Sequence, residues 1–382
     1  MSTKQDESWL FVAEWFDPMP QMKKLFVLKY FVEFQAVEMV DVKSKKLFLK
    51  KTKVPPEVTE ADFFVGSKVN LFNRELEIID YGDQKTRTKL QHQNQSIVIL
   101  LSSQCYSAWG KIIDTVVNKF NFTMTRMTTF LTSSNASQSV VGGILRNRSA
   151  TYSNLAAGVN LCVCLHGENA FSKFSDPNSD IIHAINQIEP SALNETLFAC
   201  DSDQTTGDLT NCIFGGSNNN PNSNSPTPST GQGRSQISTN TATFDSCTCC
   251  VIKPHAVKSK YFGSIIDMII SQGYEISALK TLSFDRVQAA EFLEVYDGVI
   301  PDYQDHVCQL SNGMSIAIEV RCENAVETFR VTSGPWDVDM AKELFPDSIR
   351  GTFGMDKPRS AVHCTDLAQD GQLECEYCFK IL

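Results

Sequence analysis

The sequence predicts an α+β protein in which an antiparallel β-rich N-terminal domain precedes two ferredoxin-like βαββαβ domains. One observation is an apolar strand that occurs twice, at residues 96–105 and 248–256. Each copy is followed by a glycine and a helical run, which begin at Gly110 and Gly263. The other observation is a series of short apolar and aromatic runs before residue 84, a pattern typical of a small antiparallel sheet or barrel.

Composition and charge exclude several classes of protein. The 382 residues are 42% hydrophobic, which is enough to form real cores, and the formal net charge of −10 argues against a general nucleic-acid binder. No apolar run is long enough for a transmembrane helix, so no membrane partner is expected. The polar, acidic N-terminus is unlike a secretory signal, and a set of reduced cysteines fits a cytoplasmic or ciliary compartment.

The chain divides into four segments. Residues 215–240 are rich in asparagine, serine and proline and contain almost no apolar side chains. Such a segment cannot compensate for the entropy lost on ordering, so it predicts a flexible linker or an inserted loop between the two repeats. The predicted segments are the N-terminal domain at 1–92, the first repeat at 93–214, the linker at 215–245 and the second repeat at 246–382.

The N-terminal domain is predicted to contain short strands separated by turn residues and charged breaks. Residues 9–83 contain no histidine, no cysteine and no convergent set of carboxylates, so nothing in them suggests catalysis. By elimination, this domain is an interaction module. The apolar runs that predict its strands are 9–15, 24–30, 37–42, 47–49, 63–65, 68–72 and 76–79.

Lysines bracket the apolar residues 47–49 of this domain, at positions 43, 45, 46, 50, 51 and 53. One interpretation is a solvated hairpin whose lysine stems lie along apolar surface. The other is a basic patch that docks on an acidic protein surface, such as the one that tubulin presents.

Strands and helices alternate in the second repeat. The pattern predicts strands over 249–252, 275–283, 315–320 and 360–363, and helices near 263–272, 288–296, 302–310, 324–331 and 370–379. This order is that of a ferredoxin-like core.

Thirteen cysteines occur without the spacing of a disulfide scaffold. Cys247, Cys249 and Cys250 lie on a predicted strand, where alternation sends neighbours to opposite faces. No second ligand pair follows at a spacing typical of zinc sites, so we expect buried, reduced thiols and no metal site.

Several motifs of the second repeat resemble the nucleoside diphosphate kinase family. Lys253-Pro254 ends the opening strand, residues 324–330 carry one arginine, and residues 348–353 carry another. Residues 361–366, Ala-Val-His-Cys-Thr-Asp, resemble the active-site segment of that family, and a glutamate follows at position 374. These motifs cover the whole repeat in the family order, which implies a ferredoxin-like kinase fold.

The resemblance implies phosphoryl transfer through a phosphohistidine at His363. Glu374 would fix the tautomer of the imidazole, and Thr365 stands where the family has a serine. Mg²⁺ bound to ATP or another nucleoside triphosphate would be the cofactor. The implied phosphate-binding cations are Lys253, Arg330 and Arg350.

The repeat also departs from the family pattern. Leu293 takes the place of a tyrosine, although Tyr296 and Tyr303 are near in sequence, and Pro301 replaces the aromatic side chain that stacks on the base. Ser360 replaces an asparagine. A threonine is lost within residues 333–336, so a weak enzyme, a non-catalytic nucleotide binder and a competent kinase all stay open. The tryptophan at position 336 and the histidines at 255 and 306 are expected to be structural.

The first repeat is predicted to be degenerate. When the two copies are aligned, Ser102 falls on Lys253. A third strand opening at Ser139 would leave the repeat too short for the helical hairpin that forms one wall of the nucleotide cleft. His183 falls near the histidine position and is interpreted as a relic, so this repeat is expected to serve as a docking surface.

The motif order of the N-terminal domain resembles the DM10 domain, a PH-like fold linked to axonemal microtubules. The resembling segments are 37–43, 48–52, 64–66 and 80–83. Followed by two kinase-like repeats, the domain implies a structural component of ciliary doublet microtubules, with tubulin and other doublet proteins as partners. The rival function is an active nucleoside diphosphate kinase.

Overall fold

The computed structural model describes residues 7–17, 21–56, 58–72, 74–91, 94–132, 154–155, 158–190, 196–215 and 237–382. The chain forms two compact units, residues 1–95 and 96–382. No helix in the described ranges has the length and apolar character needed to cross a membrane.

Six antiparallel strands form the sheet of the first unit, in the order β4-β3-β2-β1-β6-β5. Side chains on β1 and β2 alternate between the core and the outer face; Phe11, Ala13, Phe26 and Leu28 are fully buried. The elements are β1 (Ser8–Asp17), β2 (Met22–Phe31), β3 (Ala36–Asp41), β4 (Leu47–Lys53), β5 (Lys68–Asn70), β6 (Glu75–Tyr81) and helix α1 (Gln84–Gln91).

The predicted strand at residues 63–65 is wrong. A 3₁₀ turn over Glu60–Asp62 precedes these residues, and the Thr59 backbone N–H donates to the Asp62 carboxylate at 2.7 Å. The capped turn redirects the chain so that Phe63 enters the core, where its ring stacks on Tyr30 with 4.2 Å between the ring centroids. Phe63 and Phe64 are therefore buried in the core without forming a strand.

The second unit contains one nine-stranded sheet with helices packed on it. Its strands are β7 (Asn94–Leu101), β8 (Thr123–Thr132), β9 (Asn160–Glu168), β10 (Leu197–Ala199), β11 (Ile237–Ser238), β12 (Cys247–Ile252), β13 (Glu275–Ser283), β14 (Met314–Arg321) and β15 (Val362–Cys364). The helices are α2 (Trp109–Asp114), α3 (Ala170–Ser175), α4 (Asp180–Ile188), α5 (Asp203–Phe214), α6 (Pro254–Lys258), α7 (Phe262–Ser271), α8 (Arg286–Phe292), α9 (Tyr303–Leu310), α10 (Ala325–Ser333), α11 (Val338–Leu344), α12 (Ile349–Phe353) and α13 (Gly371–Glu376).

The sheet order β10-β7-β9-β8-β13-β14-β12-β15 reads as two ferredoxin-like halves placed edge to edge. Strands β8 and β13 meet at Thr128 and Lys280, and the Leu279 N–H donates to Thr129 Oγ1 at 2.9 Å. Helices α2 and α7 cross beside this junction through Gly110 and Gly263. The two repeats therefore share one sheet and one continuous hydrophobic core.

The predicted third strand of the first repeat at Ser139 is wrong in its placement. Residue 139 lies outside the described residues, and Asn160–Glu168 occupies the sheet position that β14 holds in the second repeat. The stretch from Gly110 to this strand is about as long as its counterpart in the second repeat. The first repeat is therefore not shortened between these elements, and the prediction that it is too short for a cleft wall is wrong.

Most of the predicted linker, residues 216–236, lies outside the described residues. Its last part is ordered against the second unit, because Ile237–Ser238 pairs with β8. The backbone N–H groups of Thr243 and Phe244 donate to the Glu319 carboxylate at 2.8 and 3.2 Å. The packed part of the second repeat thus begins before residue 246.

Candidate active site

His363 lies at the centre of strand β15, opposite Val251 of β12, and its side chain is almost fully buried. Its Nε2 is 2.7 Å from Glu374 Oε2, and Thr365 Oγ1 donates to the same carboxylate oxygen at 2.8 Å. A carboxylate accepts hydrogen bonds only, so Nε2 carries the proton and Nδ1 keeps its lone pair. The fold therefore brings His363, Glu374 and Thr365 together, with the imidazole proton on Nε2 and the lone pair on Nδ1.

Lys253 follows β12 and occupies the N-cap position of α6, where Pro254 opens the helix. Its Nζ donates to Ser360 Oγ at 2.8 Å and to the Pro358 carbonyl at 3.1 Å. Burial, and then the nearby charge of Arg350, lowers the pKa of Lys253 to about 7. An anionic phosphate bound beside Lys253 would stabilise the charged form of its side chain.

The two predicted phosphate-binding arginines differ in their surroundings. Arg350 is buried, and its guanidinium donates to the carbonyls of Gly334 at 2.8 Å and Val362 at 3.3 Å. Arg330 is about half exposed, and it donates to the Asp366 carbonyl at 2.9 Å and pairs with the Asp366 carboxylate at 3.3 Å. Arg350 thus holds the backbone beside His363, while Arg330 stays at the surface.

The tyrosine of the site is Tyr296, and the assignment of that position to Leu293 is wrong. Helix α8 ends at Phe292, and a 3₁₀ turn over Glu294–Tyr296 carries the tyrosine to the site. The Tyr296 hydroxyl donates to Asp366 Oδ2 at 2.5 Å, and its ring centroid lies 6.3 Å from that of His363. A position assigned by counting residues from a helix is correct only if the helix is continuous. Here the helix ends at Phe292 and a more tightly wound 3₁₀ turn follows, so the residue that reaches the site is Tyr296.

Trp336 lies in the segment that replaces the threonine of the family. Its ring stacks on His306 at 4.5 Å and packs tilted against Tyr296 at 5.4 Å. Lys253 Nζ is 5.7 Å from the centre of the indole, within the range of a cation–π contact. Trp336 is therefore a packing residue, as expected, and it packs within the site beside the buried ammonium of Lys253.

His255 stabilises an unusual backbone position. Ala361 has φ of 66°, in the left-handed region that costs a non-glycine residue energy. Its N–H donates to His255 Nε2 at 3.2 Å, and its carbonyl accepts from the Lys253 N–H at 2.9 Å. Burial lowers the pKa of His255 to about 4, so the ring is a neutral acceptor at neutral pH.

A cleft adjoins the site through Pro358, whose carbonyl accepts from Lys253. Four aspartates and one lysine contribute to its lining, so negative side chains dominate its surface. Phosphate groups are repelled by such a surface and are attracted to Lys253 beyond it. These charged residues are Asp302, Asp305, Asp339, Asp356 and Lys357.

The first repeat keeps the backbone of this site without its chemistry. Ser102 N–H donates to the Thr196 carbonyl at 2.8 Å, as Lys253 N–H does to Ala361, so Ser102 does replace the lysine. Phe198 pairs with Leu100 and stands where His363 stands. The placement of His183 near the histidine position is wrong, because His183 is exposed on helix α4.

Comparison with known proteins agrees with this geometry. The family model described as "Nucleoside diphosphate kinase" matches residues 246–381. "Nucleoside diphosphate kinase homolog 7" of Rattus norvegicus is 33% identical over 383 residues, which cover 99% of this chain and 94% of the relative. The protein of the same name from Mus musculus is 33% identical over 384 residues, with the same coverage. A nucleoside diphosphate kinase of Aquifex aeolicus is 34% identical over 133 residues, 35% of this chain and 93% of its own. This chain therefore belongs to the nucleoside diphosphate kinase family.

Proposed function

We propose that the protein is a structural component of ciliary doublet microtubules, located in the axoneme, and that tubulin and neighbouring doublet proteins are its partners. One observation carries this proposal: strand β4 lies at an edge of the six-stranded sheet and presents exposed lysines beside exposed apolar side chains. Leu47 is 51% exposed and Phe48 is 42% exposed. An edge strand of this composition fits an acidic protein surface that also offers apolar contacts.

The basic charges lie around one strand. The lysines at 43, 45, 46, 50, 51 and 53 are all exposed. Lys51 lies over the rings of Phe31 and Phe34, at 4.0 and 3.6 Å from their centroids, and so covers aromatic surface. The others have no ring contact of this kind among the described residues, and their ammonium groups are available to carboxylates of a partner.

The test measures binding of the full chain to salt-washed axonemal doublets by co-sedimentation. Changing Lys45, Lys46, Lys50 and Lys53 together to glutamate should weaken binding by about tenfold or more, since each lost charge pair becomes a repulsion. The same four lysines changed to arginine keep the charge and are the matched control. Equal binding of the two variants, with the fold intact by circular dichroism, would remove the proposal.

A second candidate function, phosphoryl transfer between nucleotides, is favoured by the Nδ1 of His363. In this reaction Nδ1 forms a bond to the γ-phosphorus of a nucleoside triphosphate. The bond from phosphorus to the bridging oxygen breaks, and the nucleoside diphosphate leaves with the electron pair. Glu374, on Nε2, stabilises the positive imidazole that results. Mg²⁺ would arrive on the phosphates of the nucleotide.

Several contacts favour a slow reaction. Arg350 donates to backbone carbonyls, Arg330 is paired with Asp366, and Trp336 lies over Lys253. Each cation must give up or share a partner before it can stabilise the transferring group. We therefore propose that His363 accepts a phosphoryl group slowly, and that structure rather than turnover is the main function.

The test incubates the full chain with ATP that is radiolabelled at the γ-phosphate. We expect an acid-labile, alkali-stable label that His363→Asn abolishes. His183→Asn, at the exposed histidine of the first repeat, is the matched control and should label as the unmodified chain does. A label that survives His363→Asn, or no label on the unmodified chain, would contradict this second candidate.

A further inference from the structure

Four cysteines converge between strand β12 and the C-terminal helix, away from the Lys253 site. Cys247 and Cys249 are two residues apart on β12, so their side chains share one face of the sheet. Cys250 points to the opposite face and belongs to the other hydrophobic cluster. Alternation along the strand thus places Cys247 and Cys249 on one face of the sheet and Cys250 on the other.

The second pair comes from the other end of the repeat. Cys375 lies on α13, and Cys378 lies in the helical turn over Tyr377–Ile381 that continues it. A spacing of three residues places both on one helical face. Cys249 Sγ is 3.9 Å from Cys378 Sγ, and the Cys375 thiol lies close to the thiols of Cys247 and Cys249.

A carboxylate completes the cluster. Glu319 of β14 is paired with Cys249 across the sheet and is fully buried. The ligand atoms of Cys247, Glu319 and Cys375 all lie within 4.8 Å of one another. Glu319 Oε1 accepts from the Thr243 hydroxyl at 2.7 Å and from the Ser277 hydroxyl at 2.8 Å, which fixes its orientation.

Glu319 is fully buried, and the hydrogen bonds that its carboxylate accepts come from neutral groups, the N–H groups of Thr243 and Phe244 and the hydroxyls of Thr243 and Ser277. A carboxylate removed from water is costly unless it is paired with a cation or binds a metal. Within the described part of the chain, no lysine or arginine forms an ion pair with it. The sulfurs beside it are the ligands that a thiophilic cation prefers.

We propose that this cluster binds Zn²⁺ through Cys247, Cys375 and Glu319, whose ligand atoms converge, and through Cys249, whose thiol contacts that of Cys375. Each thiol releases its proton to solvent as its sulfur bonds the metal, and the carboxylate supplies the fourth ligand. Tetrahedral Zn–S geometry requires sulfur atoms about 3.8 Å apart, and the sulfurs of Cys247 and Cys375 lie within 4.8 Å, so this pair needs to close by about 1 Å or less. Sequence spacing does not predict this zinc site, because the second cysteine pair follows more than a hundred residues after the first.

Such a metal would fix the helix that positions the active-site glutamate. Cys375 directly follows Glu374 on α13, and Cys249 lies on the strand that pairs with β15. Zn²⁺ would therefore tie the carboxylate that holds His363 to the sheet. This role concerns the fold of the second repeat and does not depend on either proposed function.

The experiment uses the full chain, purified under reducing conditions. We expect about one zinc per chain by elemental analysis. After chelation, Co²⁺ added as a probe should give the near-ultraviolet thiolate charge-transfer band and the strong visible bands of a tetrahedral site. Cys375→Ala should reduce metal content about tenfold or more. Cys250→Ala, a buried cysteine on the opposite face of the same strand, is the matched control and should keep the metal.

Three results would overturn the proposal: an unmodified chain that binds neither zinc nor cobalt, equal metal loss in the Cys375→Ala and Cys250→Ala variants, or a disulfide between Cys247 and Cys375 in the purified protein. The cobalt spectrum of the unmodified chain tests the site by itself if Cys375→Ala fails to fold.

Discussion

At the scale of single residues, the charge of Lys253 depends on what surrounds it. Its ammonium is buried between Ser360 and the Pro358 carbonyl, and burial lowers its pKa to about 7. Near neutral pH the side chain is therefore partly neutral in the folded protein. A phosphate that binds beside it would favour the charged form and draw a proton from solvent.

This pKa predicts a pH dependence of stability. Between about pH 7 and the ordinary lysine pKa of 10.5, the unfolded chain binds a proton at Lys253 that the folded protein lacks. The contribution of Lys253 to the free energy of unfolding should therefore rise with pH in this window, by at most about 1.4 kcal/mol per pH unit. Buried cysteines with raised pKa values, such as Cys105 and Cys250, contribute the opposite slope as the pH approaches the thiol range. The Lys253 contribution is therefore measured as the difference in slope between the unmodified protein and a variant, in denaturant titrations from about pH 7 to 9. Lys253→Met should lack it, while Lys258→Met, at an exposed lysine, should keep it.

Trp336 is the second residue whose contacts limit the site. Its indole packs against Tyr296 and His306 and lies over Lys253, in the segment where the family has a threonine. Burial lowers the pKa of His306 to about 4, so the stacked histidine is neutral and adds no positive charge. The segment therefore supplies aromatic packing where a hydroxyl donor is expected.

Replacing this tryptophan should accelerate phosphorylation of His363. Trp336→Thr restores a hydroxyl donor and uncovers Lys253, and a donor of this kind contributes about 10²–10³ in rate in other enzymes. We expect the initial rate of labelling to rise about tenfold or more. Trp336→Phe keeps an aromatic ring and is the matched control. If the threonine variant labels no faster than the phenylalanine variant, Trp336 does not limit the reaction.

At the scale of elements, two glycines allow α2 and α7 to pack closely. A Cβ atom on Gly110 would lie 2.3 Å from the backbone nitrogen of Asp267, and one on Gly263 would lie 2.6 Å from that of Asp114. The obstructing atoms belong to the backbone, so no side-chain rotation relieves the clash. The Ser264 hydroxyl donates to Asp114 Oδ1 at 2.7 Å across the same crossing.

Gly110→Ala should destabilise the second unit by about 2–3 kcal/mol, the cost typical of overpacking at a rigid contact. Gly207→Ala is the matched control: Gly207 lies in helix α5 and has no atom within 4 Å of the added Cβ. In a helix this control should be neutral or stabilising by up to about 1 kcal/mol. Chemical denaturation measures both variants, and equal stability of the two would show that the crossing tolerates separation.

At the scale of the whole molecule, the first repeat covers a sheet edge of the second repeat. The Tyr106 hydroxyl donates to the Tyr274 carbonyl at 2.9 Å and accepts from the Ile276 N–H at 2.7 Å. Together with the β8–β13 junction, these contacts cover one edge of the second repeat with the first. The first repeat, which has lost its lysine and histidine, therefore keeps a role in folding.

Residues 239–382, which include the segment that packs on Glu319, should dimerise when they are expressed alone. Without the first repeat, strand β13 becomes an exposed edge and the apolar face of α7 loses its cover, and a second copy offers the same surface. Light scattering should give a dimer mass, which Gly263→Trp should shift to monomer by blocking the helix crossing. The substitution Lys342→Glu, at an exposed position on α11, is the control and should leave the dimer intact. A monomeric repeat would contradict this prediction.

Most strands and helices of the second repeat could be predicted from periodicity in the sequence alone. The contact of Glu374 with His363 was implied by the spacing of a motif that resembles the kinase family. This is because periodicity and motif spacing are properties of neighbouring residues. The alignment of Ser102 with Lys253 also held, since both end the opening strand.

The tertiary structure alone decided which distant residues meet. The packing of α12 turned Arg350 toward backbone carbonyls, and a 3₁₀ turn brought Tyr296 to the site in place of Leu293. Sheet register placed Phe198 at the position of the histidine and set Glu319 opposite Cys249. Each outcome depends on where elements far apart in sequence come to lie, and local patterns contain no information about that distance.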